Sequence, residues 1–138
     1  MPACVVDASV VLAFLDEEAG ADAAADALED AAISAVNLAE VIARLIKGGL
    51  PAEELDGVLA PFPFAVIPFG EADARAAGLL RAATEPVRRA LPSPRRTLSH
   101  GDHACLVLAA RLGLPAVTAD RDWAPYAEAA GVEVRLIR

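Results

Sequence analysis

The run Cys4-Val5-Val6-Asp7-Ala8-Ser9-Val10-Val11 decides the fold. Ala3 to Val6 is short, apolar and β-branched with no polar alternation, as expected of a parallel strand covered on both faces. It stops at Asp7, and Ser9 to Leu15 then reads as a short apolar helix. Outward from there the same alternation repeats. Ala19 to Ala32 reads as an Ala-rich helix with a solvated acidic face, and Ala31 to Ala35 as a short strand. Leu38, Val41, Ile42, Leu45 and Ile46 have helical spacing, and Gly48-Gly49 ends that helix. Pro51 opens a helix with Leu55, Val58 and Leu59 facing inward, Phe62 to Phe69 is strand-like, and Glu71 to Ala83 is helical. Thr84 to Ser99 holds Pro86, Pro92, Pro94 and the arginines Arg88, Arg89, Arg95 and Arg96, and reads as an exposed loop. A nearly all-apolar helix, His103 to Leu112, ends at Gly113. Pro115 to Thr118 (strand), Trp123 to Ala130 (helix) and Val132 to Ile137 (strand) complete the chain. Alternating strands and helices predict a three-layer α/β domain with a central, mostly parallel sheet flanked by helices.

With 138 residues, 56% of them hydrophobic, the chain is expected to form one domain over residues 1–138 with a substantial core, which excludes disorder. No apolar run approaches the roughly 18 residues of a membrane span, and the N-terminus lacks the basic region of a signal peptide. A cytoplasmic protein is expected, with no membrane partner. Cys4 and Cys105 sit in apolar surroundings and read as small core residues rather than a disulfide. Twenty acids against 12 bases, a net charge of −8, argue against broad nonspecific duplex binding. That balance leaves open an enzyme that holds phosphates through metal ions on its own carboxylates.

Most of the acids fall on polar helix faces. Four do not. Asp7 and Asp120 each follow a predicted strand, at the carboxyl-end rim where ligands gather in open parallel sheets. Glu40 and Asp102 lie in the first turns of the two most apolar helices. Each has a local explanation: Asn37 with Glu40 and Ser99 with Asp102 have capping-box spacing, and Asp7 and Asp120 suit an N-cap or a turn. Taken together, all four point to one edge of one sheet. Carboxylates about 5 Å apart repel by roughly 3 kcal/mol per pair at an effective dielectric near 20, so the cluster must take up protons or bind cations. All-oxygen donors suit Mg²⁺ or Mn²⁺, and such ions suit phosphodiester hydrolysis.

Val5-Val6-Asp7-Ala8-Ser9, Ile33-Ser34-Ala35-Val36-Asn37-Leu38-Ala39-Glu40-Val41, Gly101-Asp102-His103-Ala104-Cys105-Leu106 and Val117-Thr118-Ala119-Asp120-Arg121-Asp122-Trp123 stand in the order and spacing of the PIN-domain ribonucleases. The chain resembles that family over its whole length, and within it the VapC toxins of bacterial toxin–antitoxin pairs. The tail Gly131 to Ile137 is also similar. The resemblance implies a PIN fold and a Mg²⁺-dependent endoribonuclease, with Mn²⁺ as a substitute. Asp7 and Asp102 would be the principal metal ligands, with Glu40 and Asp120 ligating the ion or orienting its water. Asp122 would be a further ligand or only a turn acid. Ser9, Asn37 and Thr118 would hydrogen-bond these acids or serve as local caps. An RNA substrate, single-stranded rather than duplex, is implied. So are a VapB-type antitoxin covering the acidic groove and a homodimer, for which the outer sides of the Leu38–Ile46 and Leu55–Leu59 helices are candidate surfaces.

Two features depart from the family pattern. His100 and His103 flank Asp102, where an apolar residue or an arginine is expected; each reads as solvent-facing, with substrate contact or proton transfer as the alternative. The Arg/Pro loop is longer than usual, and its arginines would contact RNA or the antitoxin, or simply be solvated. Other classes fail on the residues. A receiver domain needs an acidic neighbour for Asp7 and a late lysine, whereas the sole lysine is Lys47. A haloacid-dehalogenase-type phosphatase needs a second acid at Ser9, and no GxGxxG or Walker loop occurs. A catalytically silent PIN module that only binds protein or RNA remains the rival reading.

Overall fold

A computed structural model of the chain describes residues 1–92 and 97–138. Its centre is a five-stranded sheet of β1 (Cys4–Val6), β2 (Ala31–Ser34), β3 (Ala65–Ile67), β4 (Ala116–Thr118) and β5 (Val134–Leu136). The order is β3-β2-β1-β4-β5, and every pairing is parallel. The helices are α1 (Ala8–Leu15), α2 (Ala21–Leu28), α3 (Ala35–Lys47), α4 (Leu55–Leu59), α5 (Glu71–Ala90), α6 (His100–Leu112) and α7 (Ala124–Ala130).

Strand alternation builds two cores from one sheet. Cys4, Val6, Ala31, Ile33 and Val117 face α1, α2 and Val41 of α3. Their neighbours Val5, Ala32 and Ala116 face α6, Trp123 and Tyr126. A strand buried on both faces has no place for a polar residue, which is why the strands read as unbroken apolar runs. Both cysteines are buried and free. Among the described residues, no helix is long and apolar enough to cross a membrane.

The chain lays β2 and β3 to one side of β1, then crosses over through α5 and α6 to lay β4 and β5 on the other. Beyond the carboxyl ends of β1 and β4 the crossovers diverge, and a crevice opens there. Residues 7 and 120 lie at that crevice.

The predicted Thr84–Ser99 loop needs correcting. Residues 84–90 continue α5, straight through Pro86. Proline removes one helical donor, but the stripe Asp73, Ala77, Leu80, Thr84 and Val87 keeps this helix packed over about four turns. The Thr84 hydroxyl donates back to the Leu80 and Arg81 carbonyls, and Glu85 pairs with Arg88 and Arg89. Arg88 and Arg89 are therefore helical, while Arg95 and Arg96 lie outside the described residues. Likewise α6 begins at His100, three residues before the expected start.

Candidate functional site

Asp7 caps the junction of β1 and α1 and is only 5% exposed. Its Oδ2 accepts from the Ser9 hydroxyl at 2.8 Å and the Thr118 hydroxyl at 3.1 Å. Asn37 Nδ2 approaches its Oδ1 at 3.4 Å. The same two hydroxyls accept in turn from the backbone N–H groups of Ala119 and Asp120, which ties the exit of β4 to the start of α1. Asp7 is thus locked in place by neutral groups. Burial pushes its carboxyl above the ordinary range, and the charge of Asp102 adds to the rise, against the lowering effect of the Ser9 and Thr118 hydroxyls.

Asn37 does not cap α3. The cap is Ser34, whose hydroxyl accepts from Val36 N–H, so the helix starts before Asn37 and turns it inward. Fully buried, its Nδ2 donates to Glu40 Oε1 at 3.2 Å and to the Gly101 carbonyl at 3.0 Å, joining α3 to α6 beside Asp7. Glu40 is raised by burial first, then by the charges of Asp7 and Asp102; Asn37 and Arg44 oppose the rise.

Asp102 is the expected capping-box residue. Its Oδ2 accepts from Ser99 N–H at 2.8 Å, and its own N–H donates to the Ser99 hydroxyl. It also lines the cavity, so cap and site residue are one. Asp120 accepts from Asp122 N–H at the start of the turn after β4, and it too faces the cavity. Asp122 is half-buried and is not among the residues lining the cavity.

Asp7, Glu40, Asp102 and Asp120 therefore surround one cavity of about 400 Å³. Among the described residues, no three His, Cys, Asp or Glu side chains converge closely enough to form a ready-made ion cage. The carboxylates are spread round the walls rather than gathered at a point.

Four contributors are missing from the sequence-based expectations. A Cβ on Gly101 would overlap the Glu40 carboxylate, so glycine at this position leaves that side chain room to lie where it does. Arg44, Glu18 and Arg138 line the rim. Arg138 Nη1 donates to Glu18 Oε2 at 2.8 Å and to the Ala19 carbonyl at 3.0 Å. Asn37, Glu40 and Arg44 have the i, i+3, i+7 spacing of one helix face, a signal that would have found Arg44. Nothing local marks Glu18 or Arg138. Of the two histidines, His100 is exposed, edge-on to Phe69, whereas His103 is 3% exposed rather than solvent-facing. The apolar helix carries His103 inward between α5 and α7.

The sequence model of the PIN domain matches residues 4–129. No curated protein matches the sequence. Among solved structures the fold is similar to that of a member of the VapBC family of toxin–antitoxin systems, VapBC-5 from Mycobacterium tuberculosis, at 26% identity over 98% of this chain and 99% of that one, with a TM-score of 0.64. It is similar to FitAcB from Neisseria gonorrhoeae at 20% identity, 97% coverage of each chain and a TM-score of 0.71. DNA-bound VapBC from Salmonella typhimurium aligns over 100% of each chain at 18% identity, with a TM-score of 0.71.

Proposed function

The chain belongs to the PIN domain family, and on that premise we propose that it is a Mg²⁺-dependent endoribonuclease acting as the toxin of a VapBC-type pair. Nuclease activity is general to the family. The observation that carries the reading here is Asp7. It is a buried carboxylate with neutral hydrogen-bond partners, raised by burial and by the Asp102 charge, at the floor of a cavity lined by Glu40, Asp102 and Asp120. A carboxylate that serves only the fold is cheaper to pair with a cation or to replace.

The donor set, four carboxylates round one cavity, is all oxygen and suits a hard divalent ion. Asp7 and Asp102 would hold it, with Asp120 as a further ligand and Glu40 orienting its water. When bound, the ion would supply charge neutralisation and polarise a phosphoryl oxygen. The protein's own side chains do the rest. Ser9, Thr118 and Asn37 keep Asp7 in one orientation. Glu40, held at Oε1 by Asn37 and made more basic by its burial, accepts a proton from the attacking water at Oε2. Arg44 stands one turn beyond Glu40, about 6 Å along the helix axis, and meets the phosphate next to the scissile one. Arg138 meets another once the half-exposed Glu18 lets go, since such surface pairs are weak.

A VapB-type antitoxin would cover this cavity with a basic segment, the electrostatic complement of an acidic toxin. A homodimer through the outer side of α3, where Ile46 is 39% exposed, completes the proposed assembly.

The test is cleavage of total cellular RNA by antitoxin-free protein with Mg²⁺, Mn²⁺ or EDTA, beside Asp7→Asn and Asp102→Asn. Discrete fragments that require the ion and vanish in both variants are expected. A companion melting series should show Mg²⁺ stabilising the wild type and not the variants. Intact RNA together with no such stabilisation would leave the binding-module reading in its place.

A further inference from the structure

Helices α5 and α6 run antiparallel, since Asp73 in the first turn of α5 bonds Arg111 in the last turn of α6. The last turns of α5 therefore lie beside the first turn of α6, where Asp102 faces the acidic cavity. Those last turns, residues 81–90, hold three arginines, Arg81, Arg88 and Arg89, and one acid, Glu85. The spacing i, i+4, i+7, i+8 puts all four on one side of the helix. Glu85 accepts from Arg88 at both oxygens and from Arg89 at Oε1. Arg81 is exposed, and among the described residues its guanidinium has no carboxylate partner. Three guanidiniums against one carboxylate leave this face positive in a chain of net charge −8.

The arginine face adjoins the candidate site. Arg81 and Arg88 wall a recess of about 250 Å³ together with Thr97 and Leu98, and the next residue, Ser99, lines the acidic cavity. Thr97 and Ser99 are at most about 7 Å apart along the chain. Both are exposed, while Leu98 between them is buried in the core and anchors the segment. A short, exposed ledge thus separates the four acids from the arginines.

We infer that this face carries the flank of the RNA substrate once the strand leaves the acidic cavity. The strand crosses the ledge of Thr97 and Ser99 and sets successive phosphates against Arg81 and Arg88. The inference rests on the nuclease reading for the path through the acids. Guanidiniums suit phosphate oxygens because they offer paired N–H donors. Arg81 offers them directly; Arg88 shares them with Glu85 in a partly exposed pair, which costs little to loosen. The basic antitoxin segment proposed for the acidic cavity would be repelled here, so the face is assigned to RNA.

The experiment follows binding of 2′-O-methyl oligouridylates, which resist cleavage, by fluorescence anisotropy in Mg²⁺, with a short probe of about 4 and a long one of about 12 nucleotides. The wild type should hold the long probe at least about tenfold more tightly than the short one. Arg81→Gln should weaken the long probe about fivefold at low salt, lower its salt slope by about 0.7 and leave the short probe unchanged. Arg88→Gln should act in the same direction and less strongly. Arg75→Gln, toward the other end of α5 and paired with Glu71, should alter neither. Equal affinity for the two probes, or an Arg81→Gln protein that matches the wild type in affinity and slope, would overturn the path. So would an Arg81→Gln protein that keeps the long probe and loses an oligoglutamate peptide, because the face would then dock an acidic protein. Cleavage of total RNA by the same preparations separates the two readings. Length-dependent binding without cleavage keeps the RNA face and removes the nuclease; cleavage without length dependence does the reverse. Because Arg81 is exposed and pairs with no described carboxylate, its variant should melt with the wild type.

Discussion

Asp7 and Asp73 are buried almost equally, at 5% and 7% exposure, yet they are held in contrasting ways. Asp73, in the first turn of α5, receives Nε and Nη2 of Arg111 from the last turn of α6, at 3.0 and 3.3 Å. It also accepts from Gly70 N–H, so its charge is spent on joining and capping two helices. Asp7 is offered hydroxyls and an amide instead, with Asp102 and Glu40 nearby. Burial alone therefore does not identify a functional acid. What sets Asp7 apart is that, among the described residues, its hydrogen-bond partners are all neutral, so they offset its burial only in part.

The largest effect expected from breaking this contrast is at Asp7. Asp7→Asn should lower RNA cleavage by more than about 100-fold while raising the melting temperature of metal-free protein, since it removes a buried charge that is offset only in part. The pH dependence follows from the same rise. Because the folded state holds the Asp7 proton to higher pH than the unfolded state does, the metal-free wild type is at its best, as far as this group is concerned, below the ordinary carboxylate range. It loses stability as pH climbs through the raised folded value. Melting curves of wild type and Asp7→Asn across pH 4–8, measured in EDTA, should diverge progressively as pH rises; parallel curves would count against a charge offset only in part.

Arg111→Ala attacks the other half of the comparison. It leaves Asp73 buried without its cation and should cost about 2 kcal/mol, less than the roughly 3–5 kcal/mol of a fully buried pair because Arg111 is 45% exposed. Urea denaturation measures this, and cleavage below the transition should be unchanged. Gly101→Ala separates site from fold in the reverse sense. The new methyl displaces the Glu40 carboxylate, and cleavage should drop about tenfold, while helix propensity changes stability by no more than about 1 kcal/mol, in the favourable direction. Arg44→Gln is the mildest. It should raise KM about fivefold with kcat kept, and reduce the salt dependence of RNA binding by about one phosphate contact, a slope change near 0.7. Arg75→Gln, on the exposed side of α5 with Glu71, should do neither.

Much of this is legible in the chain. The unbroken apolar runs announce parallel strands, and the positions of Asp7 and Asp120 just past two of them announce the rim. Ser99-x-x-Asp102 forms the cap that its spacing predicts, although spacing cannot say that the same carboxylate faces a cavity. Two expectations fail, and one of two alternatives for Asn37 is discarded, for a shared reason. Local propensity makes Pro86 a helix terminator and His103 a surface residue, and it offers Asn37 as a cap. The Asp73–Val87 stripe, the earlier cap at Ser34 and the burial of α6 each override that propensity through packing.

By itself, the order of residues determined the layered α/β class and the four acids aimed at one edge, because strand and helix periodicities and the ends of strands are local properties. Only the tertiary structure decided which groups hold each buried acid, that Gly101 clears a place for Glu40, and that Arg44, Glu18 and Arg138 meet at one rim. Those are contacts between segments up to 120 residues apart. Burial and pairing belong to the packed chain and to no single stretch of it.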